Sequence, residues 1–288
     1  MRAFDLHRPA IQTTAVVFAS PHSGSAYPEA FLRRIVLDPL AVRSSEDAFV
    51  DRLFARAPSL GAPLLTARVP RAYVDLNRAA EELDPALVEG VQRPTHNPRI
   101  SSGLGVIPRV VANGRAIYRG KIGLDEAQDR LALCWRPYHE ALRAVLAETH
   151  AQFGQTILID CHSMPHEAIE ASGVVGGPRP DVVLGDRFGA AAALEIMEGV
   201  EAAFKSAGLR VARNMPFAGA YVTQQYGRPA RRAHAVQVEI DRSLYMDEAR
   251  IEPHGGFDAF AALLAGVIAE IAKLGRPAGG AELPVAAE

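Results

Sequence analysis

The chain of 288 residues has only two cysteines, Cys134 and Cys161, and no C-x-x-C pair. That leaves no material for a disulfide framework, and the expected setting is the reducing cytoplasm. A dominant charge of one sign is also missing, since the formal net charge is −2. Nucleic-acid binding by phosphate neutralisation is therefore disfavoured. No apolar run approaches the length of a membrane span. The first run follows Asp5 and Arg8 and is too short and interrupted for a signal peptide. The dinucleotide fingerprint G-x-G-x-x-G, the phosphate-binding Walker A loop and a G-x-S-x-G elbow around Ser163 are all absent.

What is present fits an ordinary globular protein, with 49% hydrophobic and 22% charged residues. The runs "AVVFA" (15–19), "PLLTARV" (63–69), "QTILIDCHS" (155–163), "DVVLGD" (181–186), "RVARNMPF" (210–217) and "HAVQVEIDRSLY" (234–245) read as strands. "DAFVDRLFARAPSLG" has helical apolar spacing, with Ser44 or Ser45 as N-cap and Gly61 beyond its end. The strongest helical pattern spans 124–154, and Pro137 inside it predicts a kink or break. Further helices are expected over 188–208 and 257–275. "AYVDLNR" reads as extended, and 79–123, rich in Pro, Gly, Asn and Arg, as a long irregular region of the kind that carries function. Strands alternating with long helices give the fold class α/β. A single sheet carries helices on both faces, in one domain over 1–275 with a disordered tail over 276–288.

Two of the strands end on polar chemistry. The first runs into Pro21-His22-Ser23-Gly24, and the third into Asp160-Cys161-His162-Ser163. In open α/β sheets, ligands bind beyond the C-terminal strand edges. Alternation in "HAVQVEI" puts Ala235, Gln237 and Glu239 on one face and Val236, Val238 and Ile240 on the other. A carboxylate at Glu239 is then either functional or paired. Two histidines, one carboxylate and a water make a catalytic zinc site, with a separate glutamate to shuttle the proton. His22, His162, Asp47 or Glu46, and Glu239 are the residues available for these roles. If they act together, the two imidazoles approach within about 5 Å.

The blocks "SPHSGSAYP", "SSEDAFVDRLF", "RAYVDLNR", "GVIPRV", "IYRGKI", "WRPYHEAL", "IDCHSMP" and "HAVQVEIDRSLYMDE" occur in an order that resembles the N-formylglutamate amidohydrolase family, over roughly residues 15–250. The resemblance implies a mixed, mostly parallel sheet of zinc-carboxypeptidase type. It also implies hydrolysis of N-formyl-L-glutamate to formate and glutamate, the family's step in histidine breakdown. His22, His162 and Asp47 would be zinc ligands, Glu46 being the less favoured acid. The carboxypeptidase pattern H-x-x-E would need an acid at position 25, where this chain has Ser25. Glu239 would match the general base and acid. "DLNR" is shared with the aspartoacylases, so Asn77 and Arg78 would face the substrate. A planar guanidinium suits the α-carboxylate of any N-acyl amino acid. Arg71, Arg109 and Arg119 are candidates for a second carboxylate or the oxyanion. The partner implied is a small N-acyl amino acid. The alternatives are a related deacylase or carboxypeptidase, or a family member that binds an amino acid without catalysis.

Overall fold

The computed structural model of the chain describes residues 2–91, 97–111, 114–171 and 179–277. Most of the expected tail, and parts of the expected irregular region, lie outside these residues. The main sheet has seven strands: β1 (Phe4–His7), β2 (Val16–Ser20), β3 (Leu64–Ala67), β4 (Thr156–Met164), β5 (Val182–Gly185), β6 (Val211–Arg213) and β7 (Ala233–Asp241). Their spatial order is β1-β3-β2-β4-β7-β5-β6. The β3/β2, β2/β4, β4/β7 and β5/β6 pairs are parallel, while β1/β3 and β7/β5 are antiparallel. The sheet is thus mixed and mostly parallel, as expected. The edge strand β1 was not legible, because FDLH is only half-buried and carries too short a pattern.

Both faces of the sheet are covered, which is why β2, β4 and β7 are apolar in register. One core packs Ile157, Ile159, Val236, Val238 and Ile240 against helices Leu194–Ser206 and Phe257–Leu274. The other packs Val17, Leu158 and Ala235 against Tyr138, Leu142 and Val145 of helix Arg136–Phe153. Among the described residues, no helix is long and apolar enough to cross a membrane.

Three local expectations are corrected by the structure. The helix expected around Asp47 shrinks to Val50–Leu53. Phe49 takes a left-handed φ of 66° and the Asp47 N–H donates to the His22 carbonyl, so 46–49 leaves the helical path. The 188–208 helix starts only at Leu194, because Arg187 and Phe188 both have φ of 57° in a preceding turn. "AYVDLNR" joins no strand and forms turns. The irregularity expected at Pro137 takes the form of a π-helical turn just before it. A π-helical turn over Leu131–Trp135 links Leu124–Arg130 to Arg136–Phe153, and the wider turn accommodates the missing N–H.

Gly24, just after β2, has no room for a side chain, since a Cβ would stand 2.1 Å from the Val69 carbonyl oxygen. Gly24→Ala should therefore lower stability by about 3 kcal/mol, the upper part of the overpacking range, because backbone must move. Urea unfolding measures this, and an unchanged midpoint would contradict the close approach.

Candidate functional site

β2, β4 and β7 deliver their C-terminal ends to one side of the sheet, with β4 in the middle. His22 follows β2 directly, while Asp160 and His162 lie on β4 with Cys161 turned into the opposite core. Asp160 pairs in register with Gln237, and His162 with Glu239. The His22 and His162 ring centroids are 4.7 Å apart. Asp47 reaches them from the turn before Val50. Its Oδ2 lies 2.9 Å from His162 Nδ1 and 3.4 Å from His22 Nδ1. All three side chains are buried.

The outer nitrogens of both rings are anchored by carboxylates. His22 Nε2 is 2.7 Å from Asp75 Oδ1, and His162 Nε2 is 3.1 Å from Asp160 Oδ2. With His22 Nε2 donating to Asp75, His22 Nδ1 keeps its lone pair for the point beside Asp47 Oδ2, whereas His162 Nε2 also lies 3.1 Å from the Asn77 amide nitrogen and His162 Nδ1 is hydrogen-bonded to Asp47 Oδ2. This carboxylate–histidine arrangement is the usual support of metal-binding imidazoles. His22 Nδ1 is buried and has no hydrogen-bond partner, an orphan that a metal would satisfy. The donor atoms of His22, Asp47 and His162 all lie within 4.8 Å of one another, so the group could hold a metal ion. Two nitrogens and one carboxylate oxygen are a donor set suited to a divalent metal ion.

Burial alone would raise the Asp47 carboxyl, but the adjacent His162 and His22 imidazoles hold it well below the usual carboxylate range. Arg242 donates to Asp47 Oδ1 at 3.1 Å and leaves Oδ2 to the imidazoles. Glu46 points elsewhere. It accepts from Tyr27 Oη at 2.6 Å and from Arg43, and burial raises its carboxyl.

His22, Asp47, His162 and Arg242 line a cavity of about 620 Å³, which Glu239 also lines. Burial pushes the Glu239 carboxyl up to about 7; Asp47 and Asp160 add to the rise, while His162 and Arg71 oppose it. Gln237 donates to Glu239 Oε1 at 2.8 Å.

Of the arginines expected at a substrate, Arg71 and Arg78 line the cavity. Arg71 Nε is paired with Asp75 Oδ2 at 2.9 Å. Arg78 is buried and held by two carbonyls, Nε to Leu104 at 3.0 Å and Nη1 to Asn77 at 2.7 Å. Asn77 also lines the cavity, but its amide is engaged with the protein. Nδ2 lies 3.1 Å from His162 Nε2 and donates to Asp160 at 3.3 Å, and Oδ1 accepts from the Val222 N–H at 2.8 Å. Arg109 and Arg119 are not brought to the cavity. Arg109 is drawn onto Asp84 at 2.9 Å, and Arg119 is exposed. Arg99 and Arg242 line the cavity instead. Sequence reasoning missed Asp75 and Asp160 as imidazole anchors, although D-x-H in "DCHS" carried that signal for Asp160.

The N-formylglutamate amidohydrolase family model matches residues 14–246. An N-formylglutamate deformylase of Pseudomonas aeruginosa is 30% identical over 240 residues, covering 81% of this chain and 82% of that protein. One of Pseudomonas putida is 29% identical, with the same coverage. A crystal structure of N-formylglutamate amidohydrolase from Ralstonia eutropha JMP134 superposes with a TM-score of 0.89 at 35% identity, covering 95% of this chain and 98% of that one. A gene product of Agrobacterium tumefaciens shares the fold, with a TM-score of 0.64 at 17% identity, over 95% of this chain and 96% of that one.

The neighbouring acids Glu46 and Asp47 should separate in a metal-binding assay. Asp47→Ala should abolish stoichiometric zinc binding. Glu46→Gln should keep it while losing about 1–3 kcal/mol of stability from the Tyr27 and Arg43 contacts. Elemental analysis with thermal melts checks both, and the reverse pattern would move the ligand to Glu46.

Proposed function

The chain belongs to the N-formylglutamate amidohydrolase family, and from that premise we propose that it hydrolyses N-formyl-L-glutamate to formate and L-glutamate with a bound zinc ion. The observation that carries this reading is the His22–Asp47–His162 donor set lining the same cavity as Glu239. Zinc held by those three residues would supply Lewis acidity toward the formyl carbonyl and lower the pKa of a water. The residues of the chain do the rest. Glu239 accepts a proton from the attacking water and returns it to the leaving amine as the C–N bond breaks. A carboxyl near neutrality can serve in both directions. Asp75 keeps the His22 imidazole in one tautomer and orientation, and Asp160 and Asn77 hold the Nε2 side of His162.

A formyl group offers almost no surface, so selection rests on the amino-acid half. Arg78 is assigned the α-carboxylate, because its guanidinium is pre-positioned by the Leu104 and Asn77 carbonyls and lines the cavity. Burial lowers its pKa, with Arg71 and Arg99 adding to the effect and Asp75 opposing it, so the site favours an incoming anion. Arg71 remains the candidate for the γ-carboxylate, and Arg99 and Arg242 are further cations on the same walls.

Glu239→Gln should keep zinc and fold while losing about 10²–10⁴-fold in turnover. Glu239 works as a base only when ionised, so kcat/KM should fall as pH drops through its pKa of about 7, or lower once a cation is bound. That acid limb should vanish in the variant, and near-wild-type turnover would remove Glu239 from the mechanism. Arg78→Lys should cost about 2–5 kcal/mol in kcat/KM on N-formyl-L-glutamate and far less on its α-amide. Equal losses on both would show that Arg78 does not read the α-carboxylate. A wild type inactive on both would end the formylglutamate assignment and leave a panel of N-acyl amino acids to decide.

A further inference from the structure

The segment Asp75–Arg78 serves the site twice, through Asp75 on His22 and through Arg78 in the cavity. It belongs to no strand, so no sheet ladder fixes it. Two of its carbonyls point instead at the long helix. The Leu76 carbonyl accepts from His139 Nε2 at 2.9 Å, and the Arg78 carbonyl accepts from Trp135 Nε1 at 2.9 Å. Trp135 and His139 are four residues apart, Trp135 closing the π-helical turn and His139 in the first turn of the helix that follows. Both are buried, and neither lines the cavity.

The two donors are themselves held. The His139 ring lies 4.2 Å from the Trp135 ring and stacks on Tyr226 at 6.0 Å. Its Nδ1 accepts from Tyr226 Oη at 2.8 Å, which leaves the proton on Nε2, facing Leu76. Burial pushes this imidazole down to about 3, so it stays neutral and the donor persists at working pH. A face needed only for packing would be met by Leu or Phe. Two N–H donors here cost desolvation unless both are hydrogen-bonded, and both bond to this one segment.

We propose that Trp135 and His139 are positioning residues that set the register of Asp75–Arg78, His139 for the metal-side end and Trp135 for the arginine end. This rests on the metal-site reading above. The carbonyl held by His139 lies between Asp75, which orients His22, and Asn77, which donates to Asp160. The carbonyl held by Trp135 is that of Arg78 itself.

The test uses the full-length protein and three variants. Trp135→Phe keeps the ring and removes the N–H. His139→Leu removes the donor, and His139→Gln restores both a donor and an acceptor. Zinc affinity by chelator competition, steady-state kinetics on N-formyl-L-glutamate, and thermal melts are read together. Trp135→Phe should raise KM about tenfold, the worth of one buried hydrogen bond, with zinc affinity unchanged. His139→Leu should weaken zinc binding about 10–100-fold, and His139→Gln should return it to near wild type. Lower melting temperatures with wild-type KM and zinc affinity in both Trp135→Phe and His139→Leu would overturn the proposal. If His139→Leu does not fold, Trp135→Phe and His139→Gln decide, and an unchanged KM in Trp135→Phe overturns it. A wild type that binds zinc but releases no formate defeats the substrate reading, and the zinc arm still decides for His139. A wild type that binds no zinc overturns the site reading and this proposal with it.

Discussion

The structure depends on one electrostatic constraint. Asp47, Asp75 and Asp160 are all buried around two buried imidazoles. Carboxylates withdrawn from water and set close together cannot all stay ionised without compensation. Arg242 takes one oxygen of Asp47, and Arg71 takes one of Asp75. The rest must come from charged imidazoles or from a cation bound between them. Burial and Asp160 act oppositely on His162, and the carboxylates win, holding its pKa well above the ordinary value. A divalent ion at the same point would replace the imidazolium charge and use the lone pair that His22 Nδ1 leaves unpaired.

The fold meets this constraint by division of labour. Parallel strands β2 and β4 bring His22 and His162 to one edge, and the neighbouring β7 adds Glu239 opposite His162. The carboxylates that orient them come partly from irregular chain, Asp47 before a single helical turn and Asp75 in a turn segment. Irregular chain can aim a side chain where no strand period would, but it needs its own supports. Here they are the Asp47 N–H bond to the His22 carbonyl, the Asp75 N–H bond to the Val106 carbonyl, and the helix bearing Trp135 and His139.

What was legible in the sequence follows the same division. β2, β4 and β7 announce themselves because burial on both faces demands near-continuous apolar runs, and polar residues at their ends then stand out. The face that Glu239 takes was legible from alternation, since Val238 and Ile240 fill the opposite core. The helix around Asp47 was over-read, because Phe49, Val50, Leu53 and Phe54 do lie in or against one core, yet a left-handed Phe49 breaks the path. Asp75 as the anchor of His22 was not legible, since a contact across 53 residues leaves no local period. The arginines show the limit most clearly. Arg71 and Arg78 sit beside site residues in sequence and reach the cavity, while Arg109 is captured by Asp84.

That a metal at His22, Asp47 and His162 makes this cavity a deformylase is tested most directly by stripping the purified protein of metal, restoring zinc in steps, and measuring formate released from N-formyl-L-glutamate. The stripped protein should show no turnover, and activity should rise to saturate at one zinc per chain. Formate release that is unaffected by metal removal would contradict it, as would a fully zinc-loaded protein that leaves N-formyl-L-glutamate intact.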